Sequence, residues 1–275
     1  MAKSKPPVTR NPRKPAAAST YRKTWIYGLV TVLMLITGLF ITYVITVWKA
    51  QKAEERAEEA IYSAFGIAIP TNYSIHGIDV SSHQNTIAWP LVNTMRINNI
   101  SMGFVFIKAT EGLNDIDKNF AKNYKNAKKA GMVCGAYHFF LSTKSGASQA
   151  ANYIKNVPLS KGDLPPVVDI EELYGVPPAL MQQRLKECLS MLEQFYRVKP
   201  IVYSYVDFYE HYLGNSFNNY PLWIAHYEEP EKPRIGRDWL FWQHNEAGHV
   251  NGITTPVDCN VFNGDSTAFK DLLLR

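Results

Sequence analysis

Hydrophobic and polar positions along the 275-residue chain change their period twice. From Trp25 to Trp48, 24 residues carry no charge and place Leu, Ile, Val and Thr on every face, the pattern of a helix that is apolar all round. At about 1.5 Å per residue the stretch reaches roughly 36 Å, enough to cross a hydrocarbon core of about 30 Å with some tilt. It exceeds the apolar run of a cleaved leader, about 7–15 residues, and no A-x-A site closes it. Trp25, Tyr27, Tyr43 and Trp48 stand near its ends, where interfacial aromatics belong. Residues 49–65 are rich in alanine and charge and continue the helical pattern as a stalk. Ala53, Ala57, Ala60, Ile61 and Ala64 share a stripe that either pairs two chains or faces water as a spacer. Gly66 to Tyr73, with Pro70, ends the stalk.

Beyond Tyr73, runs of period two alternate with runs of period 3.6. Strands are expected at 74–80, 103–108, 133–140, 166–170, 201–205, 222–226, 240–244 and 257–261. Helices are expected at 91–97, 117–131, 145–156 and 178–196. Phe120, Tyr124 and Ala127 mark the buried side of the second helix, Gly131 its C-terminal stop, and paired prolines the start of the last. Alternating strands and helices predict an α/β fold with a mostly parallel sheet. Apolar runs suited to burial on both sides argue for a closed, TIM-like (β/α) barrel. It is irregular, because its last third is poor in helices. The expected organisation is a basic tail (1–24), a transmembrane helix (25–48), a stalk (49–73) and a barrel domain (74–275).

Charge adds topology. The segment up to Lys23 holds Lys3, Lys5, Arg10, Arg13, Lys14, Arg22 and Lys23 with no acid. That excess keeps the N-terminus cytoplasmic and exports the rest. The formal net charge of +5 is therefore a property of the tail, and it implies no nucleic-acid partner. Cys134, Cys188 and Cys259 are too few and too scattered for a disulfide framework, although one bridge stays open. No spacing suits a structural metal, and no cofactor is implied.

Candidate chemistry gathers at the ends of the strands. Asp169 and Glu171 close the run Leu164-Pro-Pro-Val-Val-Asp-Ile-Glu171. Strand residues i and i+2 share a face, with α-carbons roughly 6–7 Å apart. Two acids in one site perturb each other, so one keeps a proton while the other is charged. Cleavage of a glycosidic bond needs that split. Asp79 ends the first strand, Glu111 follows the second, and Tyr137 and His138 end the third. Tyr203 and Tyr205 end the fifth, His226 and Tyr227 the sixth, Gln243 and His244 the seventh, and Asp258 opens the eighth. Active sites of α/β barrels lie at that end. Trp223 and the tyrosines nearby suit stacking on sugar faces. Trp239 and Phe241 are expected to face away from Trp242 and Gln243.

Four strings carry a resemblance: Gly77-Ile-Asp-Val-Ser-Ser-His-Gln84, Phe104-Val-Phe-Ile-Lys-Ala-Thr-Glu-Gly112, Gly135-Ala-Tyr-His-Phe139 and Pro166-Val-Val-Asp-Ile-Glu171. With Leu222-Trp-Ile-Ala225, Trp242-Gln243 and Val257-Asp-x-Asn260, they resemble glycoside hydrolase family 25, the N-acetylmuramidase lysozymes, over 75–265. The resemblance implies a barrel with few outer helices. It also implies cleavage of the β-1,4 bond between N-acetylmuramic acid and N-acetylglucosamine in peptidoglycan. By motif, Glu171 is then the general acid/base and Asp169 its partner. Asp79 and Asp258 flank the site, and Tyr137 contacts substrate; Tyr203, Trp223, Tyr227 and Gln243 are expected to do so from their place at the strand ends. The membrane span at 25–48 makes the lipid bilayer a second partner and puts the catalytic domain outside the cytoplasm. A protein of the wall machinery that restrains the enzyme is left open. A non-catalytic wall anchor, a hydrolase of another N-acetyl sugar polymer, and a metal-dependent esterase or deacetylase using Asp79, His83 and His138 are the competing readings.

Overall fold

Period-two alternation in short β-branched and aromatic runs sends one set of side chains inward and the other outward. The computed structural model turns that alternation into a closed wall. It describes all residues except 3, 5, 6, 8–17 and 228, so most of the expected basic tail lies outside the described residues. The chain divides into two units, Met1–Arg56 and Ala57–Arg275.

The first unit holds most of helix α1 (Ala18–Phe65). An 18-residue window within it has a mean hydropathy of 2.3 and is not buried against protein. Its threonines satisfy their own hydroxyls. Thr31, Thr37, Thr42 and Thr46 each donate to the carbonyl four residues back, at 2.6–2.9 Å. These four hydroxyls are thereby paired within the helix, as a hydrocarbon environment requires.

The second unit is the barrel. Strands β1 (His76–Val80), β2 (Met102–Glu111), β4 (Val133–Phe139), β5 (Val167–Asp169), β6 (Ile201–Tyr205), β7 (Leu222–Ala225) and β8 (Phe241–Gly248) pair in parallel around the wall. β9 (Val257–Phe262) closes the ring between β8 and β1, antiparallel to both. A two-residue β3 (Asp115–Ile116) folds back on the end of β2. Helices α2 (Trp89–Thr94), α3 (Phe120–Lys129), α4 (Gly146–Asn156) and α5 (Pro178–Tyr196) cover part of the outside. The expected elements are all present, and the last third is indeed irregular. A broken helical run spans 206–217, and a short helix (Ser266–Leu272) capped by Asp265 follows β9.

The core has two layers of packing. Outward residues such as Val105, Ile107, Val168 and Ile224 belong to the large outer cluster that also holds the buried side chains of the helices. Inward residues Phe104, Phe106, Val167, Ile201, Trp223, Phe241 and Phe262 fill one end of the barrel. Gly77 and Gly135 make room for them. A Cβ on Gly135 would stand 2.5 Å from the Phe106 ring, and one on Gly77 2.6 Å from the Phe104 ring.

Residues 57–73 belong to this unit. Ile61, Phe65, Ile67 and Ile69 are buried, the Phe65 carbonyl accepts from His249 N at 2.7 Å, and Tyr73 packs edgewise on Trp242. They cover the outside of β8 and β9, where no crossover helix exists. Two side chains of the alanine stripe, Ile61 and Ala64, thus pack on their own barrel. Phe241 and Gln243 share the interior, while Trp242 turns outward to Trp239 and Tyr73. The expectation that Trp242 and Gln243 share a face is therefore corrected: adjacent strand residues cannot.

Candidate active site

The same alternation that packs rings at one end of the barrel brings polar groups to the other. Two residues above Gly77 stands Asp79, and two above Phe241 stands Gln243. β9 runs the opposite way, so its first residues lie where its neighbours end. Asp258 is thereby registered directly opposite Asp79.

A closed hydrogen-bond network holds Asp79. Gln243 Nε2 and Asn260 Nδ2 both donate to its Oδ2 at 2.8 Å. Gln243 Oε1 accepts from the hydroxyls of Tyr203 and Tyr227, each at 2.8 Å, which fixes the amide orientation. Asn260 Oδ1 accepts from Trp223 Nε1 at 2.8 Å. Burial, then the charge of Asp79, pushes the Asp258 carboxyl up to about 9, and it donates its proton to Asp79. Burial raises Asp79 as well, opposed by its donors Asn260, Gln243 and Asp258.

Asp169 and Glu171 form the second acid pair. β5 ends at Asp169, yet the alternation carries Glu171 to the same side. Asp169 is 7 % exposed, and its Oδ1 has no partner among the described residues. Burial and then the charge of Glu171 push it well above the carboxylate range. Glu171 is more open. Burial raises it too, while the neighbouring Tyr203 hydroxyl and the charge of Lys108 pull it back. A cavity of about 530 Å³ opens above, lined by Glu171, Tyr203, Tyr205, Val206, Asp207, Ala225, His226 and Tyr227. That is room for a sugar ring with substituents.

Eight of the nine expected site residues point into this end of the barrel or its cavity. Tyr137 is among them; burial, then the charges of Asp79, Asp169 and Asp258, keeps its phenol protonated. Trp223 is different. It is 2 % exposed and stacks on Phe106 with ring centres 4.4 Å apart, so it is the floor of the site and acts through Asn260. His83 and His138 do not join Asp79. His138 faces outward, bonded to Thr110 and Gln149, and His83 bonds Ser81. Among the described residues no group of three or more His, Cys, Asp and Glu could hold a metal.

Sequence reasoning gave no role to Asn260 or Lys108. Asn260 was signalled by its spacing, two residues from Asp258 on one strand face. Lys108 follows Phe104 and Phe106 on the inward face of β2, and the irregularity just after it, which no residue pattern announces, brings Glu111 to its side.

A barrel with paired acids, tyrosines and a roomy cleft at one mouth is the architecture of a sugar-cleaving enzyme. The chain belongs to glycosyl hydrolases family 25, whose model matches residues 78–253; it is a glycoside hydrolase of the muramidase kind. It is 43% identical over 201 residues to the uncharacterized protein YegX of Escherichia coli, covering 73% of this chain and 74% of that one. It is 33% identical over 208 residues to lysozyme M1 of Streptomyces globisporus, covering 70% and 69%. Among solved structures, a family 25 glycosyl hydrolase from Bacillus anthracis superposes with a TM-score of 0.67 at 35% identity, covering 73% of this chain and 94% of that one.

Proposed function

We propose that this chain is a membrane-anchored muramidase that hydrolyses the β-1,4 bond between N-acetylmuramic acid and N-acetylglucosamine in peptidoglycan, with Glu171 as general acid/base and Asp169 assisting. The observation that carries the assignment is the pairing of a half-open acid with a buried one. Glu171 lines the cavity, and beside it Asp169 offers an unpartnered oxygen.

In the free site, burial favours a proton on Asp169 more than on Glu171. An acetamido N–H of the muramic acid, docked on Asp169 Oδ1, stabilises the carboxylate there. The shared proton is then left on Glu171, where the leaving oxygen needs it. As the glycosidic C–O bond breaks, Glu171 protonates that oxygen and the acetamido oxygen bonds to the anomeric carbon. Water, deprotonated by Glu171, then attacks the anomeric carbon and displaces the acetamido oxygen. Both proton and configuration are restored. Tyr137, Tyr203, Tyr227, Gln243 and Asp79 shape the sugar subsite, and Asp258 neutralises Asp79.

The apolar stretch 25–48 supports insertion in a bilayer, and the basic residues before it support a cytoplasmic N-terminus with the barrel on the wall side. The proposed organisation keeps the tail (1–24), span (25–48), linker and catalytic domain.

The test is mass spectrometry of fragments released from purified peptidoglycan by the full-length protein in detergent. Muropeptides with a reducing muramic acid, released as the β-anomer, are expected. Glu171→Gln is expected to lose at least 10²-fold in turnover while still binding glycan. Near-wild-type release by that variant overturns the assignment.

A further inference from the structure

The register between β2 and β4 slips inside the active site. Lys108 pairs with Tyr137, and the next paired residue, Thr110, meets His138. An extra residue in one strand re-aims its side chains, and such bulges collect beside active sites. In a regular strand Lys108 and Glu111, three apart, would face opposite sides. Here they meet: Lys108 Nζ donates to Glu111 Oε2 at 2.7 Å, with the lysine side chain one-fifth exposed. The ammonium lies 4.7 Å from the centre of the Phe139 ring. Phe139 is itself registered between Glu111 on β2 and Asp169 on β5. The lysine head thus leans onto the strand that lies next to that of Asp169.

The other titratable groups that face this end of the barrel are acids, phenols and one histidine. They are Asp79 from β1, Tyr137 from β4, Asp169 and Glu171 from the end of β5, Tyr203 and Tyr205 from β6, Asp207 after it, His226 and Tyr227 after β7 and Asp258 from β9, with Glu111 on the lysine's own strand. Asp117, after β3, is engaged by the backbone N–H groups of Ser82 and Asn119. Asp79 and Asp258 have their own donors. In the second pair Asp169 Oδ1 has no partner among the described residues, and burial pushes both carboxyls toward holding protons, a state in which Asp169 cannot act as an anion.

We propose that Lys108, clamped by Glu111 on the β2 bulge, is a positioning residue that holds the Asp169–Glu171 pair at one shared proton. The inference rests on the roles proposed above for those two acids. The charge of Lys108 acts on both in the required sense, opposing the effect of burial. Glu111 fixes the ammonium and partly offsets its charge.

The pH profile of kcat/KM on purified peptidoglycan tests this, with the full-length protein in detergent. On the acidic limb the pair takes up its second proton. Removing the cation eases that uptake, so Lys108→Met is expected to move the limb about one unit to higher pH. Lys108→Arg keeps the charge and is expected to keep the limb. Glu111→Gln leaves the lysine charge unopposed, and the limb is expected to move to lower pH. A Lys108→Met profile that overlays the wild type after scaling overturns the proposal, as does an equal shift in Lys108→Arg. If Lys108→Met does not fold, Glu111→Gln decides alone, and an unmoved or raised limb overturns it. Glu171→Gln runs in parallel. If that variant stays active, the underlying reading of the acids fails; if it is dead while the limbs stay put, only the role of Lys108 fails.

Discussion

Asp79 and Asp258 face each other across the antiparallel β1–β9 pair, and one proton joins them. Like charges directly opposite on paired strands are destabilising, so the shared proton is what allows two aspartates at this register.

Asp79 is the acceptor on which Gln243 and Asn260 depend. Asp79→Leu takes the shared acceptor from Gln243 Nε2 and Asn260 Nδ2 and is expected to cost about 1–3 kcal/mol. Asp258→Asn keeps a donor for Asp79 and needs no proton. The raised affinity of Asp258 contributes stability at low pH that is lost as pH rises toward about 9. The stability of Asp258→Asn relative to wild type is therefore expected to improve with rising pH. Urea denaturation at several pH values measures both, and equal losses in the two variants would refute the proton link.

Three buried histidines work in the opposite sense to these acids. Burial lowers His76 and His138 to about 4 and His244 to about 3. His76 Nδ1 and His244 Nε2 have no hydrogen-bond partner among the described residues. The unfolded chain takes up protons near pH 6.5 that the fold refuses. Their contribution is thus complete above pH 6.5 and is lost as pH falls toward 4, at about 1.4 kcal/mol per pH unit for each residue. Thermal melts of His244→Leu against wild type from pH 7 to 4 are expected to show a shallower fall in the variant. Parallel curves would contradict it.

Residues 57–73 act as an outer wall of the barrel. A chain beginning at Ala57 is expected to fold and stay soluble. One beginning at Ser74 loses buried Ile61, Phe65, Ile67 and Ile69, each worth about 1.5–3 kcal/mol, and uncovers Trp242 and Cys259. Melting temperature and dye binding to exposed apolar surface compare the two. Matching melts would show that the segment is dispensable.

Much of this was legible because period two is a strong signal. It located the wall strands to within a few residues, and it put Asp169 and Glu171 on one side although β5 stops between them. The expected span α5, Pro178–Tyr196, coincides with the observed helix because proline opens it and Arg197, at φ +58, ends it. What stayed hidden has physical causes. β3 pairs only two residues, too few for a period. The β2 bulge depends on how β4 lies beside it. Trp223 carries the signature of a sugar-stacking residue, yet Phe106 and Asn260 claim both its face and its nitrogen. The reversed direction of β9 follows from the short connection at 249–256, which has no helix to bring the chain back.

Phe104, Phe106, Phe241 and Phe262, seated against Gly77 and Gly135, shut the cylinder from below. A blind pit cannot be threaded. Any polymer it serves must be laid over the rim and released the same way, so a link far from either terminus of a strand is as reachable as one beside it.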